Sequence, residues 1–377
     1  MNIFLYGTLC HVPLLEQVSD MGVGALAPVP ARLADHAVYW AEGEGFPLIC
    51  AQPGGTAQGL LLRNVTTECR ARLDYYELGF GYDLHEVEVT LDESGARETA
   101  LVYFPQEGLW ALGAPWSLAD WVREWWPITK HSAREVMRGF GRRDAHENAR
   151  HFTMIQTRAL ARALAEKEQI PCTLRANFGL DEIDVTGEED SHAGFFLLKT
   201  YRLRHRRFDG EMSDEMSREV FIPGDAATVL PYDPVRDRVL LVEQFRMGLF
   251  GRGDRHPWCL EPIAGRLDGG EDAETCARRE AQEEAGLTLS GLEKIISYYP
   301  TTGYSTEMLH AFVGIADLPE EGSRLGGVAD EHEDIRSHII AFTRAMELLE
   351  QGEINNGPLV MSLMWLARER DRLRGAA

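Results

Sequence analysis

The sequence predicts a mixed α/β (α+β) protein of more than one domain, and three observations lead there. The chain has 377 residues, more than a single hydrophobic core usually organises. Residues 1–112 are dominated by short apolar runs closed by turn residues, the pattern of strands. From residue 176 onward strand-like runs alternate with helical ones, while the intervening 113–175 is helical in character. The expected division is therefore a strand-rich domain at 1–112, a helical connector at 113–175 and an α/β domain at 176–377.

In the first segment "NIFLYG" is an apolar run closed by glycine, and "AQGLLLRNV", "HEVEVTLDESG" and "TALVYFP" alternate or end in turn residues. A helix fits "TTECRARLDYYELGF", capped by Thr66 or Thr67. In the second segment "APWSLADWVREWW" is helical and Pro127 stops it. Ser132 and Glu135 stand at capping-box spacing in "HSAREVMRGFG", and "MIQTRALARALAEKEQ" is a further helix. Trp116, Trp121, Trp125 and Trp126 could stack on a base, but packing at a domain junction is the simpler reading. In the third segment "AATVLPYD", "RVLLVEQF" and "MLHAFVGIA" are strands, and "DAETCARREAQEEAG" and "PLVMSLMWLARERDRL" are helices.

Charge and cysteine usage narrow the function. A net charge of −22 argues against non-specific binding to nucleic acid or to an anionic membrane, both of which attract basic surfaces. The six cysteines are scattered with no CxxC pair, which reads as reduced thiols in a cytoplasmic protein. The opening "MNIFLYGTLCHVP" lacks a basic segment and a long apolar run, and no stretch is long enough to span a bilayer.

The helix at "CARREAQEEAG" poses a physical problem. At about 100° per residue Ala273, Ala277 and Ala281 line one face, with Cys276 at its edge. Glu280 and Glu284 fall on that same small-residue face, and Glu283 flanks it. A solvated acidic run would put its carboxylates opposite the alanines. Drawing them toward a packed face requires compensation, either from arginine or lysine or from a hard divalent cation such as Mg²⁺, which takes oxygen ligands and bridges carboxylates to phosphates.

Gly265, Glu271, Arg279, Glu280, Glu283, Glu284, Gly286 and Leu287 fit G-x5-E-x7-R-E-U-x-E-E-x-G-U, where U is a bulky aliphatic residue; Ala281 fills the first U and is small for it. This resembles the box of the Nudix hydrolases. Residues 180–370, through "SREVFIPGDAATVLPYDPVRDRVLLVEQFRMG", "WCLEPIAGRLDGGED", "ADEHEDIRSHII" and "GEINNGPLVMSLMWL", resemble the bacterial ADP-ribose pyrophosphatases of that family. The resemblance implies an α/β/α sandwich, attack of water on the diphosphate of a nucleoside diphosphate sugar with Mg²⁺ (or Mn²⁺), and a homodimer formed through this domain. It implies that Glu280, Glu284 and the carbonyl of Ala264 bind metal, and that Glu283 binds metal or orients water. Glu331 becomes the general base and Glu333 a further metal-facing residue. Arg218, Glu219 and Arg246 engage the nucleotide or its phosphates, and Phe195 approaches the adenine from the other subunit. In the loop "YYPTTGYSTE", Gly303 and Glu307 match the family, whereas Thr302 stands where proline is expected, which leaves the sugar end of the substrate open.

"FLYGTL" followed by "LDYYELGFGYDLHEVEV" resembles the γ-glutamylcyclotransferase-like family over residues 1–105, a small β-barrel-like domain. The resemblance implies that Tyr6, Gly7, Thr8 and Leu9 present a backbone turn to the substrate. It also implies that Glu77 shuttles a proton as an α-amine attacks the γ-carbonyl, expelling an amine and leaving 5-oxoproline. A glutamate in that role needs a raised pKa and a partly apolar cleft, for which Tyr75, Tyr76 and Phe80 are candidates.

Overall fold

The computed structural model describes residues 1–168, 171–320, 322–326 and 334–376. It divides into two compact units, Met1–Gln169 and Ile170–Ala377.

The first unit is built on a barrel. Its strands are β1 (Ile3–Leu5), β2 (Val29–Ala41), β3 (Pro47–Leu62), β4 (Tyr82–Leu91), β5 (Arg97–Pro105) and β6 (Leu112–Pro115). They run β3-β1-β5-β4-β2-β6, and β2 also pairs with β3, so five strands close on themselves and β6 extends the edge. Alternation along β1 divides the interior in two. Phe4 points into the barrel with Ala31, Leu61, Val89 and Val102. Ile3 and Leu5 point outward, under a cover of helices. Gly59 sits opposite β1, and a Cβ there would lie 2.1 Å from the Leu5 carbonyl oxygen, so only glycine admits that approach.

The cover consists of α1 (Val12–Ser19), α2 (Val23–Leu26), α3 (Thr67–Glu77), α4 (Leu118–Glu124), α5 (Trp126–Arg138), α6 (Ala145–Arg150) and α7 (Phe152–Ala165). Thr66 caps α3, its hydroxyl accepting from the Cys69 N–H at 3.2 Å. The segment expected as a connector thus supplies four helices to this unit, and Trp121, Val136 and Ile155 share a core with Leu5 and Leu73. The tryptophans pack within this core: Trp121 is fully buried and donates from Nε1 to the Gly45 carbonyl at 2.9 Å. Pro127 does not simply end a helix; it occupies the first turn of α5, where its missing N–H costs nothing. Because α5 starts there, Ser132 and Glu135 lie inside it and form no capping box. Ser132 Oγ donates to the Thr129 carbonyl at 3.2 Å, and Glu135 pairs with Arg158 of α7.

The second unit holds a three-stranded sheet of β7 (Ile183–Ala193), β8 (Leu197–His205) and β9 (Met216–Ile222), in that order. Its larger sheet contains β10 (Ala226–Asp233), β11 (Arg238–Phe245), β12 (Trp258–Glu261), β13 (Ile263–Arg266), β14 (Gly291–Tyr298), β15 (Leu309–Ile315), β16 (Gly322–Gly326) and β17 (Ile335–Ala341). The path is β14-β15-β10-β11-β17-β16, with β10 and β15 parallel and the other neighbours antiparallel. Strands β10 and β11 pair only at Tyr232–Val239 and Asp233–Arg238. Beyond that they part, and the chain either side of Pro262 fills the gap, β12 on β11 and β13 on β10. The remaining helices are α8 (Met247–Arg252), α9 (Ala273–Ala285), α10 (Phe342–Gln351) and α11 (Gly357–Gly375). Helices α10 and α11 cover Leu230, Tyr232, Leu241 and Val313 on one face. Val229 alternates to the other face, toward Leu289 just beyond α9. The result is a helix–sheet–helix sandwich. Among the described residues no helix is long and apolar enough to cross a membrane.

Candidate active site

Helix α9 carries the first constellation. Asp272 caps it, Oδ1 accepting from the Thr275 N–H at 2.8 Å, and Gly286 ends it in the left-handed region at φ 63°. Its inner face is Cys276, Ala277 and Ala281, all essentially without exposed surface, and small side chains bring the helix close to β10 and β13. Glu284 lies on that face and is only 2% exposed. Glu280 presses against Gly265 of β13: a Cβ at Gly265 would stand 1.7 Å from its Oε1. Gly265 and Ala264 pair with Ala227 and Thr228, which fixes this cradle on the central strand. Where the helix ends, Gly326 of β16 allows another close approach, a Cβ there standing 2.5 Å from the Glu284 carbonyl oxygen.

Of the two kinds of compensation the sequence allows, the structure shows arginine at Glu280 and Glu283. Arg279 Nη1 lies 2.7 Å from Glu280 Oε1 and 2.8 Å from Glu283 Oε2. Its Nε and Nη2 form a fork onto Glu271 at 3.0 Å each, and Nη2 also donates to the Arg266 carbonyl at 3.1 Å. Among the described residues no three acidic, histidine or cysteine side chains are grouped as a metal would need. Glu331 and Glu333 lie outside the described residues.

Beside α9 is a second cluster. Burial pushes the Glu307 carboxyl up from its ordinary value, and the charges of Arg266 and Arg246 oppose that shift. Arg246 Nε donates to Glu261 Oε2 at 2.6 Å, and Glu261 Oε1 also accepts from Asn356 at 2.9 Å. The Arg266 guanidinium stands over the rings of Phe195 at 5.0 Å and Phe196 at 5.5 Å. Within its own chain Phe195 lies against the Arg266 side chain of β13, with 48% of its surface exposed.

Gly303 sits in an open turn of the same loop as Glu307, and Tyr304 and Phe221 tie that loop to the end of β9. Arg218 and Glu219 are exposed on β9, and Arg218 Nη1 donates to the Ser217 carbonyl. Sequence reasoning passes over Arg266 and Glu261, since isolated charged residues in short strands leave no periodic signal. Their one mark is adjacency, each standing within three residues of Ala264.

The first unit carries a different arrangement. After β1, Gly7 leads into a single 3₁₀ turn, Thr8–Cys10, closed by Cys10 N–H to the Gly7 carbonyl at 3.0 Å. A Cβ at Gly7 would strike Pro47 at 2.5 Å. Tyr6 is buried, and Leu9 anchors the turn in the core. Glu77, the last residue of α3, is partly buried, and desolvation pushes its pKa up to about 7. Its charge in turn helps to raise Tyr6 and Tyr82, behind burial, which sets the carboxyl near both phenols. Trp110 stands 5.7 Å from Tyr82, with Phe46 against it at 5.3 Å, extending the aromatic wall.

Comparison with known proteins agrees with both halves. The NUDIX domain family matches residues 223–363, and the gamma-glutamyl cyclotransferase, AIG2-like family matches residues 3–123. The chain is 40% identical over 204 residues to the ADP-ribose pyrophosphatase of Escherichia coli strain K12, covering 54% of this chain and 97% of that protein. It is 38% identical over 192 residues to the ADP-ribose pyrophosphatase of Haemophilus influenzae, covering 50% and 88%. It is 36% identical over 172 residues to the GDP-mannose pyrophosphatase of Salmonella paratyphi B, covering 46% and 88%. With relatives of this identity spanned almost end to end, and with the box residues assembled on α9 and β13, the chain belongs to the Nudix family: its second unit is a Nudix pyrophosphohydrolase, and its first carries an AIG2-like domain.

Proposed function

We propose that the second unit hydrolyses the diphosphate of ADP-ribose, or of a related nucleoside diphosphate sugar, to AMP and a sugar phosphate with Mg²⁺ as cofactor and Mn²⁺ as a substitute. Nudix hydrolases generally depend on a divalent metal. The residues fit such an ion on one observation: Gly265 leaves a space that a Cβ would fill, and the Glu280 carboxylate lies in it, against the strand that carries Ala264. The donors assigned to it, two carboxylates and a backbone carbonyl, are hard oxygens, the chemistry Mg²⁺ selects. In this reading Glu280, Glu284 and the Ala264 carbonyl hold the ion. Bound, it supplies positive charge to the diphosphate and acidifies water. Arg279 keeps Glu280 and Glu283 poised before loading. Glu283 orients the attacking water, and Glu331 and Glu333 serve as general base and additional metal ligand. Arg246, held by Glu261, and Arg218 take phosphate oxygens. Glu219 and Glu307 read nucleotide hydroxyls and amines, Gly303 gives the sugar end room, and Phe195 supports the base. The active form is a homodimer through this unit in the cytoplasm.

What carries the reading is Glu284, a carboxylate brought onto the alanine face of α9 and 2% exposed. Glu284→Gln should lower AMP release from ADP-ribose by roughly 100-fold or more at saturating Mg²⁺. Undiminished turnover removes Glu284 from the ligand set.

One observation favours a second reading, in which the first unit is the main enzyme and the Nudix unit senses a nucleotide. Glu77, with its pKa near 7 beside Tyr6 and Tyr82, suits proton transfer in a γ-glutamylamine cyclotransferase. The Gly7–Leu9 turn then offers N–H groups to the substrate. Scoring the full chain for 5-oxoproline from γ-glutamylamines and for AMP from ADP-ribose separates the two.

A further inference from the structure

A bound diphosphate brings negative charge into a chain of net charge −22, so the basic groups at its site decide affinity. Around α9 three arginines are placed differently. Arg279 is engaged by Glu271, Glu280 and Glu283. Arg246 is held through Nε by Glu261. Arg266 follows directly on Gly265, the cradle of Glu280, and its side chain leads away to Phe195 and Phe196. It is exposed, and its charge acts on Glu307 more strongly than that of Arg246.

We propose that Arg266 is a substrate-binding residue of the second unit, its guanidinium reaching from the Glu280 cradle to Phe195 and taking an oxygen of the nucleotide-side phosphate. The inference rests on the diphosphate-hydrolase reading above. A substrate with its diphosphate at the α9 carboxylates and its base against Phe195 must pass Arg266, because that one side chain spans the two places. The ring faces hold the guanidinium by their quadrupole, while its donors lie in its own plane and suit a phosphate edge. Lysine would keep the charge but lose the fork.

The test is Arg266→Met and Arg266→Lys in the full chain, with three readouts: KM and kcat for ADP-ribose, the dissociation constant of AMP by calorimetry, and the Mg²⁺ dependence of turnover. AMP retains the phosphate in question, so it reports the contact without any reaction. For Arg266→Met, KM and the AMP dissociation constant should each rise roughly 10- to 100-fold, the loss of one charge-assisted contact, with kcat changed by less than about threefold. Arg266→Lys should fall between Met and wild type. The Mg²⁺ midpoint should be unchanged, because Arg266 contributes no metal ligand. KM and AMP affinity within about twofold of wild type in Arg266→Met would overturn the proposal, as would a loss confined to kcat. Wild-type protein that binds AMP but cleaves no nucleoside diphosphate sugar removes the proposed function while the AMP arm still decides on Arg266. Wild-type protein with no affinity for AMP removes both.

Discussion

Substituting Gly265 with alanine tests the cradle directly. The backbone there is not in the left-handed region, so alanine is conformationally acceptable. The added Cβ would stand 1.7 Å from Glu280 Oε1 and 1.9 Å from its carboxyl carbon, where ordinary contact begins near 3.4 Å. The carboxylate must therefore retreat by about 1.7 Å, several times the roughly 0.5 Å that a binding constellation tolerates. It is the far end of a flexible side chain, so the fold itself has little to lose. The 2.7 Å contact of Glu280 with Arg279 is partly exposed and contributes about 0.2–1 kcal/mol. The second unit should thus melt within roughly 2–4 °C of wild type. Metal affinity should suffer far more, with the Mg²⁺ midpoint for AMP release rising roughly 10- to 100-fold, the range seen when support of a ligand is lost. The assay is AMP release across an Mg²⁺ series, beside a thermal melt by circular dichroism. An unmoved midpoint in a folded Gly265→Ala protein would refute the reasoning, since Glu280 could then be displaced without consequence for the ion.

Glu77 gives a pH signature. Its pKa lies near 7 in the folded chain against an ordinary 4.5, so between those values the folded state holds the proton that the unfolded state releases. Stability from this group is therefore full below about pH 4.5, falls as pH rises, and levels off above 7, by at most about 3 kcal/mol. Glu77→Gln should raise the melting temperature of the first unit at pH 8 and leave it unchanged at pH 4, with 5-oxoproline formation abolished; an equal gain at both pH values contradicts the assignment. Glu135 and Arg158 form a buried pair, 9% and 4% exposed, with Arg158 Nη2 at 2.5 Å from Glu135 Oε1. Glu135→Gln should destabilise the first unit by roughly 3 kcal/mol in urea, whereas Glu135→Met with Arg158→Leu should come close to neutral. A double variant as unstable as the single one argues against an uncompensated charge as the cause.

How much was legible depended on where the determining interactions lie. Helix α9 is readable because everything that specifies it is local: Asp272 at the cap, Gly286 at the end, and alanines at helical spacing. Strands β10, β11 and β15 are readable because burial on both faces writes unbroken apolar runs. The sheet of β7 to β9 is not, because β7, "IDVTGEEDSHA", is exposed along most of its length and its pairing with β8 is set by partners far along the chain. Pro127 can end one helix or open the next, and only the packing of α5 on α7 decides. At the site, helical geometry alone places Glu280 and Glu284 on the alanine face of α9, and the motif resemblance supplies their reading as box carboxylates. That Arg279 pairs with Glu280 and Glu283 is also local, a neighbouring and an i,i+4 contact on one helix, whereas Arg266 leaning on two phenylalanines distant in sequence depends on tertiary proximity that no spacing encodes.

The crossing at Pro262 turns residues 261–266 into a keystone. Glu261 grips Arg246 at one end, Ala264 and Gly265 flank Glu280 in the middle, and Arg266 touches Phe195 at the other. The span is paired at both ends, β12 on β11 and β13 on β10, which couples its two halves through the sheet. A cation gripped at its middle and a nucleotide gripped at its ends should therefore stiffen the same few amides. Hydrogen exchange along 263–266 should slow as one block whichever arrives first, and each should tighten the grip on the other.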